Sequence, residues 1–296
     1  MNVSEDQLSR WARPPSETEE GRCQAIVSRI TRAVRARFGN EVFIDTQGSY
    51  KNRTNVRQDS DVDVIVRHNG FYFEDIANLS ENDKVRYWAG VTRSDYTCSQ
   101  FKQEIQASLI REFGSQAIRS SNKCINVGGG SQGISADVVP CFAHKRFRAL
   151  GVIEAEGIAF DTEAGVRVVS FPEQHYTNGV TKNDVAGRAY KAVVRILKNI
   201  RNDLIEQSSI TQDAMPSFFL ECLVWNVPNS NFQQRTYTEM TREVIVKLWN
   251  DLGNPEVAPN YAEVSDLLWL FKGQTRRTPD QGRIFLQQAW NYAGYT

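Results

Sequence analysis

Two aspartates, Asp61 and Asp63, lie two positions apart in the β-branched run DVDVIV, shortly after the pair Gly48-Ser49. Residues two apart in a strand point to the same face, so both carboxylates face one way while the valines face the core. Carboxylates this close repel each other unless a cation lies between them. Mg²⁺ meets this need, because it prefers hard oxygen ligands. The spacing predicts a divalent-cation site, and a solvated strand edge is the alternative.

A third carboxylate, Asp137, begins another apolar segment, ADVVP. Three carboxylates can hold two metal ions about 3.5–4 Å apart, which would activate a sugar hydroxyl and neutralise a departing pyrophosphate. The Gly48-Ser49 turn would offer backbone N–H groups and a hydroxyl to the β- and γ-phosphates of a nucleotide. These residues therefore predict metal-dependent chemistry on a nucleoside triphosphate.

The composition narrows the class of protein. Lys+Arg and Asp+Glu both number 35, so the chain has no net positive charge that would attract nucleic acid. A local basic groove is the alternative, because a balanced total can hide an uneven distribution. No apolar run approaches the ~20 residues of a membrane span, and the N-terminus has no signal core. The five scattered cysteines contain no Cys-x-x-Cys pair, which favours reduced thiols over zinc or disulfides. We expect a soluble, cytoplasmic protein without a membrane partner.

Hydrophobic periodicity orders the elements along the chain. A long amphipathic helix is predicted after Ser16, ending near Phe38, and EVFIDTQGS and DVDVIVR read as strands. Residues 80–113 look helical, and CINVGGGSQGISADVVPCF reads as two strands around a glycine-rich hairpin turn. From about Asp184 onward the signals are mostly helical. The order predicts an α+β protein with a β-rich first lobe, a helical second lobe and a cleft between them.

The spacing Gly48-Ser49, eleven residues, then Asp61-Val62-Asp63, with Asp137 later, resembles the signature of DNA polymerase beta-type nucleotidyltransferases. The longer stretch QGSYKNRTNVRQDSDVDV, with RILKNIRN, MPSFFLECLVWNVPN and FPEQHYTNG, resembles bacterial cGAS/DncV-like nucleotidyltransferases (CD-NTases), closest to clade E. These enzymes make cyclic oligonucleotides in CBASS antiphage defence. The resemblance implies a mixed-sheet nucleotidyltransferase core with an N-terminal spine helix at 1–183, a C-terminal helical lobe at 184–296 and an active site in the cleft.

The same resemblance implies roles for individual residues. It assigns two magnesium ions, with Mn²⁺ as the alternative, to Asp61, Asp63 and Asp137. It places the donor nucleotide against Gln47, Gly48, Ser49 and Asn52. It gives the triphosphate to Lys198 and Ser217, and the stacking on a base to Phe218.

The residues alone give Lys198 and Phe218 a plainer interpretation. In AYKAVVRILKNIRN, the side chains of Lys191, Arg195, Lys198 and Asn202 form a polar stripe nearly opposite an apolar one. Such a stripe is usually a solvated helix face, and an isolated phenylalanine is usually core. Only the resemblance raises Lys198 to a phosphate ligand, a role that suits a point charge on a flexible stem.

The resulting hypothesis is a template-independent synthase of a cyclic dinucleotide, in which Asp137 helps to deprotonate the attacking hydroxyl. The alternatives are a linear oligonucleotide synthetase, a transferase with a small acceptor, and an inactive nucleotide-binding scaffold. The resemblance implies a cyclic-nucleotide-activated effector as the receiver of the product, and for some relatives a ubiquitin-like ligation apparatus acting on the C-terminus. No DNA activator is expected, because nothing matches the zinc-binding insertion of the animal relatives.

Base choice is predicted from Ser170 in VVSFPEQHY. The resemblance aligns it with a base-pocket position where some clade E members carry Asn and accept uracil. A serine is shorter and lacks the amide's paired donor and acceptor, which leaves room for a purine. We therefore expect ATP first, GTP second and poor use of UTP, with a serine that merely ends a strand as the alternative. The sequence leaves the linkage and the ring size open.

Overall fold

The computed structural model of the chain describes residues 2–56, 61–130, 133–272 and 277–295. It forms two compact units. The sheet unit comprises Glu17–Tyr50 and Asp61–Pro172, and the helical unit comprises Met1–Ser16, Lys51–Ser60 and Glu173–Thr296. The predicted α+β class is confirmed. The boundary predicted between residues 183 and 184 stays a prediction, and residues 57–60 of the spacer before Asp61 lie outside the described residues.

The described residues of the sheet unit contain seven strands in one mixed sheet. The strands are β1 Val42–Gln47, β2 Val62–Asp75, β3 Ile118–Ser120, β4 Ile125–Val127, β5 Ala136–Ala149, β6 Val152–Asp161 and β7 Arg167–Ser170. The helices of this part are α2 Glu17–Phe38, α3 Gly48–Asn52, α4 Glu81–Ala89 and α5 Cys98–Phe113. The helix predicted for 80–113 is thus two helices separated by a loop, while the predicted hairpin is confirmed as β4 and β5.

Strand β5 organises the sheet. It runs parallel to β2 along one edge, and its other edge pairs antiparallel first with β4 and then with β6. The order β1-β2-β5-β4-β3 leaves β2 and β5 inside the sheet, and their β-branched residues Val64, Val66 and Val138 are fully buried. Helix α2 packs against β1, β2 and α5 through the periodic Ile26, Ile30 and Val34, as the sequence predicts.

The helical unit is built around α7. Its helices are α1 Glu5–Trp11, α6 Pro172–Val185 (whose first residue belongs to the sheet unit), α7 Ala189–Glu206, α8 Ser217–Trp225, α9 Tyr237–Leu252 and α10 Pro279–Ala293. Helix α7 packs against α1, α8, α9 and α10. Across the described part of the chain, no helix combines the length and apolar character that crossing a bilayer requires.

The polar stripe of α7 is buried, so its interpretation as a solvated face is wrong. Lys191, Arg195, Lys198 and Asn202 are all less than 9% exposed. Helices surround α7 on several sides, and internal partners replace water around Arg195 and Lys198. Arg195 donates to the carbonyl of Ala12 at 2.8 Å, for example. A buried charge needs such partners.

Candidate active site

A row of polar side chains crosses the sheet from β1 to β4. Asp63 of β2 is the direct register partner of Gln47 on one side and of Asp137 on the other. Asp137 in turn pairs with Asn126 of β4. Register partners on neighbouring strands, about 4.8 Å apart, point to the same face. The structure thus brings together Gln47, Asp63 and Asp137 as predicted, and adds Asn126, which the sequence reasoning missed.

Asp61 lies just before β2, two residues ahead of Asp63. The intervening Val62 is buried, as predicted, whereas Asp61 is exposed and Asp63 is half-buried. Ser135, just before β5, donates its hydroxyl to Asp61 Oδ1. The three carboxylates thus lie at the starting ends of two parallel strands.

Gly48 makes room for Asp63. It follows β1 and begins α3 with φ of +66°, a left-handed conformation that favours glycine. A Cβ atom at this position would overlap Asp63 Oδ2. The backbone at Gly48 and the carboxylate of Asp63 are therefore packed directly together, and Ser49 follows in the short helix α3.

The donor set fits a hard divalent cation, because it consists of carboxylate oxygens. As the side chains lie, the described residues contain no group of three His, Cys, Asp or Glu side chains arranged to hold a metal ion. Asp61 instead accepts a hydrogen bond from Ser135, and Asp137 accepts one from Asn126 at 2.5 Å. Holding a cation would require the three carboxylates to converge further.

In the helical unit, Lys198 lies in a buried ionic cluster. Its ammonium group is 3.5 Å from Glu221 Oε2 and 3.4 Å from Thr54 Oγ1, and its side chain is 1% exposed. Glu221 also accepts from Thr54 at 2.8 Å and lies 3.0 Å from His175 Nε2. Burial alone would raise the pKa of Glu221, but the Lys198 charge and the two hydrogen bonds hold that pKa at about 2. Lys198 is thus already paired.

Ser217 and Phe218 begin helix α8. Ser217 is half-buried at the first helical position, where backbone N–H groups point outward and favour anions. Phe218 is 45% exposed, so it is not a core residue, and its ring lies 5.8 Å from that of His175. An exposed ring held by a neighbouring ring is suited to stacking on a base.

Ser170 ends β7, opposite Ile158 of β6. The backbone of Ser170 packs directly against Gly157. A Cβ atom on Gly157 would overlap the carbonyl oxygen of Ser170 and the ring of Phe171. Phe171 is 2% exposed. The serine itself is half-buried. Asn52, the other residue expected to line the donor nucleotide, is buried at 6% exposure.

One of the residues missed, Glu221, had a detectable signal. Glu221 is a charged residue inside the apolar helix SFFLECLVW, and such a charge requires a buried partner. Its position four residues after Ser217 places it on the same helical face. Asn126 and Ser135 gave no comparable signal, because their contacts depend on strand register across the glycine-rich turn.

Comparison with known proteins agrees with this arrangement. Residues 177–294 match the model of the cGAS/DncV-like nucleotidyltransferase C-terminal helical domain. The chain is 46% identical to the cyclic dipurine nucleotide synthase of Elizabethkingia meningoseptica over 100% of both chains. It is 33% identical to the cyclic dipyrimidine nucleotide synthase CdnE of Cecembia lonarensis over 98% of both.

A solved structure extends the agreement to the fold. The E. meningoseptica CdnE cyclic dinucleotide synthase with GTP and Apcpp superposes with a TM-score of 0.84 at 42% identity, covering 99% of this chain and 100% of that one. Full-length likeness at this level of identity establishes the family. The chain therefore belongs to the cGAS/DncV-like nucleotidyltransferases, in the CdnE group of cyclic dinucleotide synthases.

Proposed function

We propose that this chain joins two purine nucleoside triphosphates into a cyclic dinucleotide, with ATP preferred over GTP. The observation that carries the proposal is the register of Asp63 with Asp137 on adjacent parallel strands, with Asp61 two residues before. A row of like charges costs stability, and a cation held between the carboxylates would relieve the repulsion.

Asp61 and Asp63 would hold the cation that the triphosphate shares, and Asp137 would lie beside the attacking sugar hydroxyl. Mg²⁺, or Mn²⁺ in its place, supplies positive charge to the phosphates and to that hydroxyl. Asp137 would help to remove the hydroxyl proton. Gln47, Gly48, Ser49 and Asn52 would position the donor nucleotide.

The helix α8 N-terminus would hold the triphosphate through Ser217, and Phe218 would stack on a base. The predicted role of Lys198 as a phosphate ligand requires its ammonium group to leave Glu221, or to act through its charge alone. Because Lys198 is buried, its role as a phosphate ligand requires a test of its own.

Purine use is supported by two observations. Ser170 offers no amide pair to a pyrimidine edge, and the relative that is 46% identical over its full length bears the name cyclic dipurine nucleotide synthase. The product would activate a cyclic-nucleotide-binding effector in CBASS defence, in the bacterial cytoplasm. Ligation of the C-terminus by a ubiquitin-like apparatus is a further part of this proposal.

Incubation of the pure protein with labelled NTPs and Mg²⁺, followed by phosphatase, tests the reaction. We expect a phosphatase-resistant product that Asp61→Ala/Asp63→Ala abolishes. A product that keeps a 5′-triphosphate, which phosphatase removes, would identify a linear oligonucleotide. Tight NTP binding without turnover would identify a scaffold.

Single labelled NTPs test the base choice. We expect ATP to be incorporated best by the wild type, and Ser170→Asn to raise the use of UTP. A wild type that prefers UTP, or an unchanged profile in Ser170→Asn, would show that Ser170 does not select the base.

A further inference from the structure

Asn126 contacts the carboxylate of Asp137 from the neighbouring strand. Its amide Nδ2 donates to Asp137 Oδ1 at 2.5 Å. The two residues are register partners in the antiparallel pair of β4 and β5. The flanking residues of β4, Ile125 and Val127, are fully buried. Because side chains alternate along a strand, this burial forces the side chain at position 126 to the face that carries the carboxylates.

The contact between Asn126 and Asp137 suits a carboxylate that binds a cation. The amide donates to one carboxylate oxygen and fixes the side-chain rotamer. The Cys124 thiol is a second, weaker donor to the same carboxylate, and both donors are neutral, so the negative charge stays available to a cation. A lysine or arginine here would pair with the whole carboxylate and compete with a cation. Asparagine orients the group without cancelling its charge.

The surroundings of Asn126 favour this orientation. Apart from Asp137, Nδ2 lies near Cys124 Sγ, two residues back on the same face, at 3.7 Å. A thiol is a weak acceptor, so the carboxylate is the stronger partner of the amide. Ser121 Oγ lies 3.2 Å from the same sulfur.

We propose that Asn126 is a positioning residue that holds the Asp137 carboxylate ready for a divalent cation. This inference rests on the proposed function, because it assumes that Asp137 is a metal ligand. Hydrogen-bond partners of metal ligands typically change metal affinity by about 10-fold to 100-fold when they are removed.

Direct Mn²⁺ binding to the purified protein, followed by electron paramagnetic resonance without nucleotide, tests the inference apart from turnover. Asn126→Leu keeps the approximate size and removes the donor. We expect this variant to bind Mn²⁺ about 10-fold to 100-fold more weakly than the wild type. The Mg²⁺ concentration for half-maximal product formation should rise in parallel. Asn126→Ser, which retains a hydroxyl donor, should fall between the two.

Asn69→Leu is the matched control. Asn69 is an exposed residue of β2 whose amide donates to the carbonyl of Asn40 at 3.0 Å, so it loses one hydrogen bond without touching a carboxylate. It should bind Mn²⁺ as the wild type does. The inference is overturned if folded Asn126→Leu binds Mn²⁺ and responds to Mg²⁺ like the wild type.

Asn126→Ser replaces Asn126→Leu if thermal unfolding shows that Asn126→Leu does not fold. Wild-type Mn²⁺ affinity in Asn126→Ser then overturns the inference, and weakened affinity supports it.

Asp137→Asn separates this inference from the proposed function. If the wild type and Asp137→Asn bind Mn²⁺ equally, the metal role of Asp137 is wrong and the positioning role falls with it. If only Asp137→Asn weakens binding, the proposed function stands and Asn126 has no positioning role.

Discussion

Asp63 and Asp137 are direct partners in the parallel ladder between β2 and β5. This register places two like charges side by side on one face of a sheet, next to Gln47 and Asn126. Like charges directly opposite each other on neighbouring strands are destabilising. The sheet therefore gives up some stability at the position where the proposed chemistry needs two carboxylates.

Neutralising one of these carboxylates should increase the stability of the fold and decrease the rate of product formation. Asp63→Asn is expected to raise the free energy of unfolding by about 0.2–1 kcal/mol in a metal-free buffer, because it relieves the repulsion. The same change should lower the rate of product formation by at least about 100-fold, because a metal ligand is lost. Thermal unfolding with a chelator and a product assay measure the two effects. Asp95→Asn, in an exposed loop, should change neither; a folded Asp63→Asn with full activity would refute the metal role.

A methyl group on Gly48 should disrupt the site directly. Gly48→Ala meets two obstacles: the positive φ, and the overlap of its Cβ with Asp63 Oδ2. Gly165 is the matched control, since its φ is +74° but nothing lies within 4 Å of an added Cβ. Gly165→Ala should cost about 1–2 kcal/mol from backbone strain alone. Gly48→Ala should cost more and also abolish product formation. Equal effects of the two changes on unfolding and activity would contradict the packing of Gly48 against Asp63.

The Lys198–Glu221 pair allows the predicted phosphate role to be tested. Lys198→Met should destabilise the protein by about 3–5 kcal/mol, because it leaves a buried carboxylate without its cation. Lys198→Met/Glu221→Leu removes both charges and should recover most of that loss. The unfolding free energy and the KM for ATP are then compared in the double variant. A folded double variant with a raised KM supports phosphate binding by Lys198, whereas an unchanged KM would show that the lysine only stabilises the helical unit.

Glu263 should make stability depend on pH. Its carboxyl is largely desolvated, which raises its pKa to about 7 even though His175 acts in the opposite direction. An unfolded glutamate loses its proton near pH 4.3, about the reference value, so the folded state binds more protons between that pH and 7. Stability should therefore fall as the pH rises through this window.

Glu263→Gln should flatten that slope and make the variant more stable than the wild type at pH 8, with little difference near pH 4.5. Thermal unfolding across the pH range measures this. Glu256→Gln, at an exposed position nearby, should leave the slope unchanged. A slope that survives in Glu263→Gln would assign the pH dependence to another group.

The pair Asp61 and Asp63 was predictable because strand alternation has a fixed period of two, and the run DVDV states it directly, whereas Asp137 lies beside Asp63 only through the register of β5 with β2. Gly48 was predictable for a related reason, since a short glycine turn must end β1. The partners Asn126 and Ser135 depend on how β4 registers with β5, and β5 with β2, across a loop whose geometry no local pattern encodes. Lys198 illustrates a second difficulty. A polar stripe on a helix looks the same whether water or a buried glutamate satisfies it, and only the packing of α7 inside the helical unit decides.

The helical unit is assembled from three separate pieces of the chain, with α1 at one end of the sequence and α7 to α10 at the other. Glu5 of α1 accepts hydrogen bonds at 2.8 Å from the backbone N–H groups of Tyr237 and Thr238, at the start of α9. On the ribosome, α1 is made before α9, and Glu5 meets these partners only after more than two hundred further residues have been added. A nascent or truncated chain thus cannot complete this unit.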